Sequence, residues 1–264
     1  MSIFSCFAAA SLAAAADPDV LAETKRLIES PKYKVMKYGA QSNDKAKINC
    51  TEFVTAVLKS VLQTHFKHSL TTAEIRAINI DALHNPGPAK KLLAKTALQG
   101  GPLSGNEKAA CQKIIDGKPL TLTERTLILN RMVLEELSET KGVVSVLTSL
   151  APQPGARTVA AKAIEPENAQ PGDIIQYWQK TSSGNWTGHT AVIQSVFRQK
   201  DAPKQLRASL LGSHPRTVGK PSGGPGLMAN SSGKPTYIGL TDRLGKKRDA
   251  KNWKIYVVRL GGPQ

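Results

Sequence analysis

The chain has 264 residues, of which 40% are hydrophobic and 21% charged, so it can bury a substantial core and is not a chain disordered throughout. Its 36 Lys and Arg against 20 Asp and Glu leave a net charge of +16, and Asp201 to Lys254, with 11 Lys or Arg against 3 Asp, supplies half of it. The three cysteines, Cys6, Cys50 and Cys111, are too few for a disulfide scaffold, and without CxxC or paired His/Cys spacing a structural zinc site has no support.

Met1 to Ala16 is an apolar, alanine-rich run ending in small residues, and it reads as a secretory signal peptide cleaved near Ala16. A short apolar helix is the alternative, because no Lys or Arg precedes the run. Processing would give a secreted or periplasmic chain beginning near Asp17. No later apolar run is long enough to span a bilayer. Asp17-Pro18 can cap a first helix that runs to about Glu29, with Val20, Leu21, Leu27 and Ile28 on its apolar side, and Ser30-Pro31 ends it. A lysine- and tyrosine-rich linker follows, from Lys32 to Lys47.

Ile48-Asn49-Cys50-Thr51-Glu52-Phe53-Val54 then opens a helix whose Phe53, Val54, Val57, Leu58, Val61 and Leu62 recur at helical spacing. Cys50 falls on its first turn. There the positive end of the helix and its unpaired amides favour a thiolate, the nucleophilic form. Gln41, shortly before it, carries an amide that can donate to an oxyanion.

Residues 69 to 165 are mostly helical in pattern. Thr71-Thr72-Ala73-Glu74 and Thr121-Leu122-Thr123-Glu124 read as capping boxes that start helices, the second running to about Ser138, and Gly142 to Leu150 reads as one more short helix. Cys111 reads as a small buried residue on a helix. His65, His68 and His84 lie in or near this segment and receive no role. Pro152 to Pro171 reads as a loop.

Four strands are expected at Ile174–Trp178, His189–Phe197, Arg207–Leu211 and Lys254–Leu260, paired antiparallel, with the Gly/Pro/Ser-rich run from Gly219 to Pro235 as a long surface loop. Pro171-Gly172-Asp173 turns into the first strand, and Gly188-His189 opens the second, so the two form a hairpin with a histidine at a strand start. A helix-borne cysteine facing a strand-borne histidine is an arrangement in which imidazole takes the thiol proton and returns it to a leaving amine.

In this order, the cysteine motif, the Pro-Gly-Asp strand and the Gly-His strand resemble the NlpC-type and CHAP-type cell-wall cysteine peptidases. Their usual patterns are aspartate-cysteine-serine-x-phenylalanine-valine at the helix start and glycine-histidine-valine-glycine in the strand. Asn49, Thr51 and Glu52 depart from the first of these, standing where aspartate, serine and often glycine occur. The resemblance covers about residues 31 to 62 and 166 to 260. It implies an α+β, papain-like core of one helix on a small antiparallel sheet, a single catalytic domain over 17–264 enlarged by a helical insertion at about 69–165. It further implies hydrolysis of amide bonds in peptidoglycan stem peptides by Cys50 and His189 through a thioester, with neither metal nor organic cofactor. Tyr38-Gly39 would match the tyrosine-glycine pair that shapes the oxyanion site in this family. Such families orient the histidine with a polar side chain on the next strand, and Ser213 is the group assigned here, His214 being the other available one.

The basic stretch admits a second reading, in which the chain binds an anionic polymer without catalysis. Wall glycopolymers, anionic headgroups and nucleic acid all satisfy the charge. Nucleic acid is the less favoured of these, since aromatic residues are only 5% of the chain and stacking platforms are scarce.

Overall fold

The computed structural model describes residues 19–39, 44–78, 89–90, 93–94, 103–121, 123–124, 127, 142–180, 182, 186–249 and 251–261. The signal-peptide segment, Gln41, His84 and most of the helix expected over Leu122–Ser138 lie outside these residues.

In chain order the helices are α1 (Val20–Glu29), α2 (Pro31–Lys34), α3 (Cys50–Val61), α4 (Thr72–Ile78), α5 (Gly105–Ile115) and α6 (Val143–Thr148). The strands are β1 (Lys37–Tyr38), β2 (Lys47–Ile48), β3 (Ala161–Ile164), β4 (Ile174–Lys180), β5 (Trp186–Gln199), β6 (Ala202–His214), β7 (Gly224–Leu227), β8 (Tyr237–Gly239) and β9 (Trp253–Leu260). The architecture is α+β: β1 and β2 pair parallel, and the other seven strands form a curled antiparallel sheet in the order β3-β9-β4-β5-β6-β7, with β8 also on β6.

Side chains alternate across each strand, so the sheet has two faces with different neighbours. On one face Ile174, Val192 and Val258 pack with the apolar side of α3, where Phe53, Val54, Val57, Leu58 and Val61 are fully buried. α1 lies on the same side. Its buried Val20, Thr24 and Leu27 recur at helical spacing, and Asp19 caps it by accepting the Ala22 amide at 2.7 Å. On the other face the curled sheet closes over Ile175, Ala191, Ile193, Ala208, Leu210 and Val257. Burying this much aliphatic surface on both faces, at about 25 cal/mol per Å² of apolar area, is what holds the sheet in one register.

The Pro-Gly-Asp turn has a specific anchor. Asp173 is 1% exposed and receives Arg259 through two parallel bonds, Nε to Oδ1 at 2.7 Å and Nη2 to Oδ2 at 2.9 Å, while the Gln170 amide donates to Oδ2 at 2.8 Å. Gly172, at φ +92°, lets the turn reverse tightly enough for its amide to reach the Ile193 carbonyl at 2.8 Å. This fixes the starts of β4 and the end of β9 against β5.

Two strands fall where loops were expected. β3 emerges from the proline-rich run because Ala161–Ile164 pairs with Val257–Leu260 of β9. β7 lies within the Gly/Pro/Ser-rich run, pairing Gly224–Leu227 with His214–Leu211 at the sheet edge, where a proline is tolerated. Gly224, at φ +116°, passes so close to the Met36 carbonyl that a Cβ would lie 2.2 Å from it, so local composition here serves close packing rather than looseness.

The insertion is tied to the sheet by one buried amide. Gln176, 3% exposed on β4, accepts the Val143 amide of α6 at 3.0 Å and donates to the Ile78 carbonyl of α4 at 3.1 Å and to the Thr190 hydroxyl at 3.2 Å. Thr71 and Glu74 form the expected capping box of α4 (Thr71 amide to Glu74, 2.7 Å), and Thr121 and Glu124 exchange the corresponding bonds. Ser104 and Glu107 do the same for α5. Cys111 is a buried free thiol in a small cluster with Leu103, Ala110 and Ile114. No helix among the described residues is long and apolar enough to cross a membrane.

Candidate active site

The helix that carries Cys50 starts with a reciprocal cap. The Asn49 side chain accepts the Glu52 amide at 2.8 Å, and the Glu52 carboxylate accepts the Asn49 amide at 2.8 Å. Two of the three departures from the family pattern are therefore the two halves of a capping box, which fixes Cys50 as the first residue of α3. The preceding residue is also pinned: the buried Ser213 hydroxyl donates to the Ile48 carbonyl at 2.6 Å. Tyr38 pairs with Ile48 across the β1–β2 bridge, so the Tyr38-Gly39 pair lies beside the entry to α3, with the Gly39 amide 3.3 Å from the Ile48 carbonyl.

From this position the Cys50 sulfur reaches β5. The β5–β6 ladder begins at Val192↔Leu211, and beyond it the amide of Thr190 donates to the sulfur, with the Thr51 hydroxyl 3.9 Å away. Burial is the largest influence on the thiol and pushes its pKa up, against the opposing pull of these donors and of the helix-start amides. The thiolate expected from the helix N-terminus is thus overruled by desolvation, because removing a small anion from water costs more than the half-charge of a helix end returns. The resting residue is a thiol.

His189 is the neighbour of Thr190 in the chain and projects to the other face of the strand. It pairs in register with Tyr177 of β4, the two rings meeting edge to face with centroids 6.1 Å apart. On β6, His214 places its ring centroid 4.7 Å from that of His189. Burial lowers the His189 pKa to about 4, and its Nδ1 is buried with no hydrogen-bond partner. His214 is lowered too, chiefly by burial. Its Nδ1 lies 2.7 Å from the Arg216 carbonyl and 3.2 Å from the Arg216 amide, so the chain just after His214 holds the ring on its Nδ1 side and leaves Nε2 on the other. Both imidazoles are neutral at pH 7.

Ser213 does not occupy the position expected of the third group. It faces α3 and is held by Ile48, whereas His214, one residue on, shares the face of His189. Alternation along β6 is the reason. Cys50 meets β5 at Thr190, one residue along the strand from His189, and among the described residues no hydrogen bond joins its sulfur to the imidazole. Tyr177 completes the cluster: its phenol is kept protonated by burial and, secondarily, by the nearby Cys50, and its ring stacks on Trp253 at 6.4 Å.

Two features escaped the sequence reading. The Trp178 ring lies across Gly188, so that a Cβ there would fall 2.4 Å from the ring, a close approach that the Gly-His spacing does not signal. Nothing local in the sequence signals that Gln176 joins α4, α6 and Thr190. Among the described residues no group of three or more His, Cys, Asp or Glu is placed to hold a metal ion. Comparison with protein-family models, curated proteins and solved structures gives no match to this chain.

Proposed function

We propose that the protein is a cysteine amidase or peptidase in which Cys50 is the nucleophile, His189 the base and then the acid, and His214 the residue that orients His189. The observation that carries this reading is the placement of the Cys50 sulfur on the amide of Thr190, next to a neutral His189 paired with His214. The arrangement supports a papain-like, NlpC/CHAP-type core, in which α3 and β5 meet at the reacting groups. Peptidoglycan stem peptides are the substrate class, on the resemblance of the Cys50 and His189 motifs.

In the resting state thiol and imidazole are both neutral, so proton transfer accompanies attack rather than preceding it. This step requires the His189 ring to leave its packing on Tyr177 and His214 and bring Nδ1 to the sulfur. Cys50 then attacks the amide carbonyl carbon while Nδ1 takes the thiol proton, giving a tetrahedral oxyanion. The amides of Cys50 and Thr51, which the capping box of α3 does not use, are the donors that face such a charge. Collapse expels the amine, which receives the proton from His189, and leaves a thioester on Cys50. Water, deprotonated by His189, adds to the thioester carbonyl, and release of the carboxylic acid returns the proton to the sulfur. Nε2 of His214 accepts from the other ring nitrogen of His189 and steadies the imidazolium between these steps.

Digestion of purified peptidoglycan, followed by chromatography of the released fragments, tests this reading. Cys50→Ala and His189→Ala should each abolish the appearance of new amine termini while the far-UV circular dichroism is unchanged. Hydrolysis by Cys50→Ala at the parent's rate would remove the catalytic reading.

The alternative is a non-catalytic protein that binds an anionic wall polymer or nucleic acid, favoured by the 11 Lys or Arg between Asp201 and Lys254. It predicts retention on cell walls that weakens with salt, since screening shortens the reach of exposed charges, and no fragment release.

A further inference from the structure

We propose that the cleft between α6, the end of β3 and the start of β9 binds a small organic acid, one carboxylate carried on an apolar body. The cleft measures about 320 Å³ and lies apart from Cys50 and His189, neither of which lines it, so the proposal stands independently of the hydrolytic reading. Val144 of α6, Ile164 of β3, Ile255 of β9 and Leu240 give it apolar walls, and Trp253 adds an aromatic ring. Ligand pockets run from about 300 to 1,000 Å³, so a cleft of this size suits a small molecule and not a polymer.

The charged groups of the lining decide what fits. Glu165 and Lys247 satisfy each other at 3.0 Å, with both side chains more than half exposed. The Arg248 guanidinium is committed as well: it donates to the Gly239 carbonyl at 3.3 Å and lies over Trp253, 3.7 Å from the ring centroid. Lys254 is different. It is half-buried in the lining, burial lowers its pKa with no carboxylate acting against the shift, and among the described residues its ammonium has no hydrogen-bond or ion-pair partner.

A cation taken partly out of water without a counter-charge loses hydration that nothing in the protein returns. A carboxylate seated on Lys254 returns it through a charge-assisted hydrogen bond, and the apolar body behind that carboxylate displaces water from the walls and from the Trp253 ring. One unpartnered cation matches one negative charge. A dianion such as inorganic phosphate would hold its second charge against the apolar walls, with no group to compensate it.

The test is isothermal titration calorimetry of the full chain with phenylbutyrate and with its uncharged counterpart phenylbutanol. Saturable binding of the acid with a Kd below about 1 mM is expected, and the alcohol should bind about tenfold or more weakly. Lys254→Met keeps an apolar stem without the charge and should bring the acid down to the level of the alcohol, whereas Lys254→Arg should retain it. Ala163→Trp, at an exposed position of the lining, should fill the cleft and remove binding of the acid. Equal affinity for acid and alcohol, an unchanged Kd in Lys254→Met or in Ala163→Trp, or no saturation up to about 5 mM acid would overturn the proposal.

Discussion

The amide of Thr190 donates to the sulfur of Cys50, although the two residues are 140 positions apart in the chain. Thr190 is also held through its hydroxyl by Gln176, which itself ties α4 and α6 to the sheet. One strand residue therefore connects the helix that carries Cys50, the hairpin that carries His189 and the insertion. The candidate site is assembled by these contacts, and its chemistry follows from how deeply they bury it.

A protonated thiol reacts slowly with alkylating agents at low pH. Burial raises Cys50 above the ordinary thiol value and Cys111 to about 11, so neither should be labelled quickly by iodoacetamide at pH 6 in the folded protein. Mass spectrometry of labelled peptides over a pH series should show both rates climbing in the alkaline range. Rapid labelling of Cys50 at pH 6 would reveal a thiolate–imidazolium pair and a mechanism in which proton transfer comes first.

The two histidines give the protein an acid-side dependence. His189 is lowered to about 4 from an unfolded value of 6.5, so between these limits the unfolded chain binds the proton and the folded one does not. Stability is complete above about pH 6.5 and is lost as pH falls toward 4, by on the order of 3 kcal/mol for this group. Hydrolysis should persist to about pH 5 instead of failing near the ordinary histidine value, because the base stays unprotonated until its own pKa is reached. Denaturant midpoints and kcat/KM measured across pH 4 to 8 check both. A His189→Gln protein should show a flatter stability profile over that range.

His214 and Ser213 should separate cleanly in mutants. If His214 orients His189 as proposed, His214→Ala should lower kcat about tenfold to a hundredfold with little change in KM, and His214→Gln should restore part of the loss and shift the acid limb. Ser213→Ala removes the bond to Ile48 and should cost about 1 kcal/mol of stability while leaving the acid limb in place. The pH profile distinguishes orientation of an imidazole from a purely structural defect.

Asp173→Asn breaks the two-bond ion pair with Arg259 at a position that is almost fully buried. A loss of about 3 kcal/mol is expected in urea unfolding, since one partner is left without its counter-charge. Gly188→Ala should also destabilise, by about 1–3 kcal/mol, because the new methyl would enter the Trp178 ring and the β4–β5 pair must spread beside His189.

Helical and strand periodicity, read locally, located α3, the β4–β5 hairpin and β9, because the apolar spacing of Phe53 to Val61 and of Ile174 to Trp178 is itself the cause of those elements. The capping signals at Thr71 and Thr121 were legible for the same reason: both partners of each box lie within four residues. The nearness of Cys50 to the start of β5 was legible only as chemistry that would make sense of two motifs. Three things were decided by tertiary structure alone. β3 and β7 form because partner strands lie beside them, which composition cannot show. The choice of His214 over Ser213 depends on which face of β6 turns toward His189, and so on the register with β5. The protonation state of Cys50 depends on how much water the sheet, α3 and the insertion exclude together, and that exclusion outweighs the helix end from which the sequence suggested a thiolate.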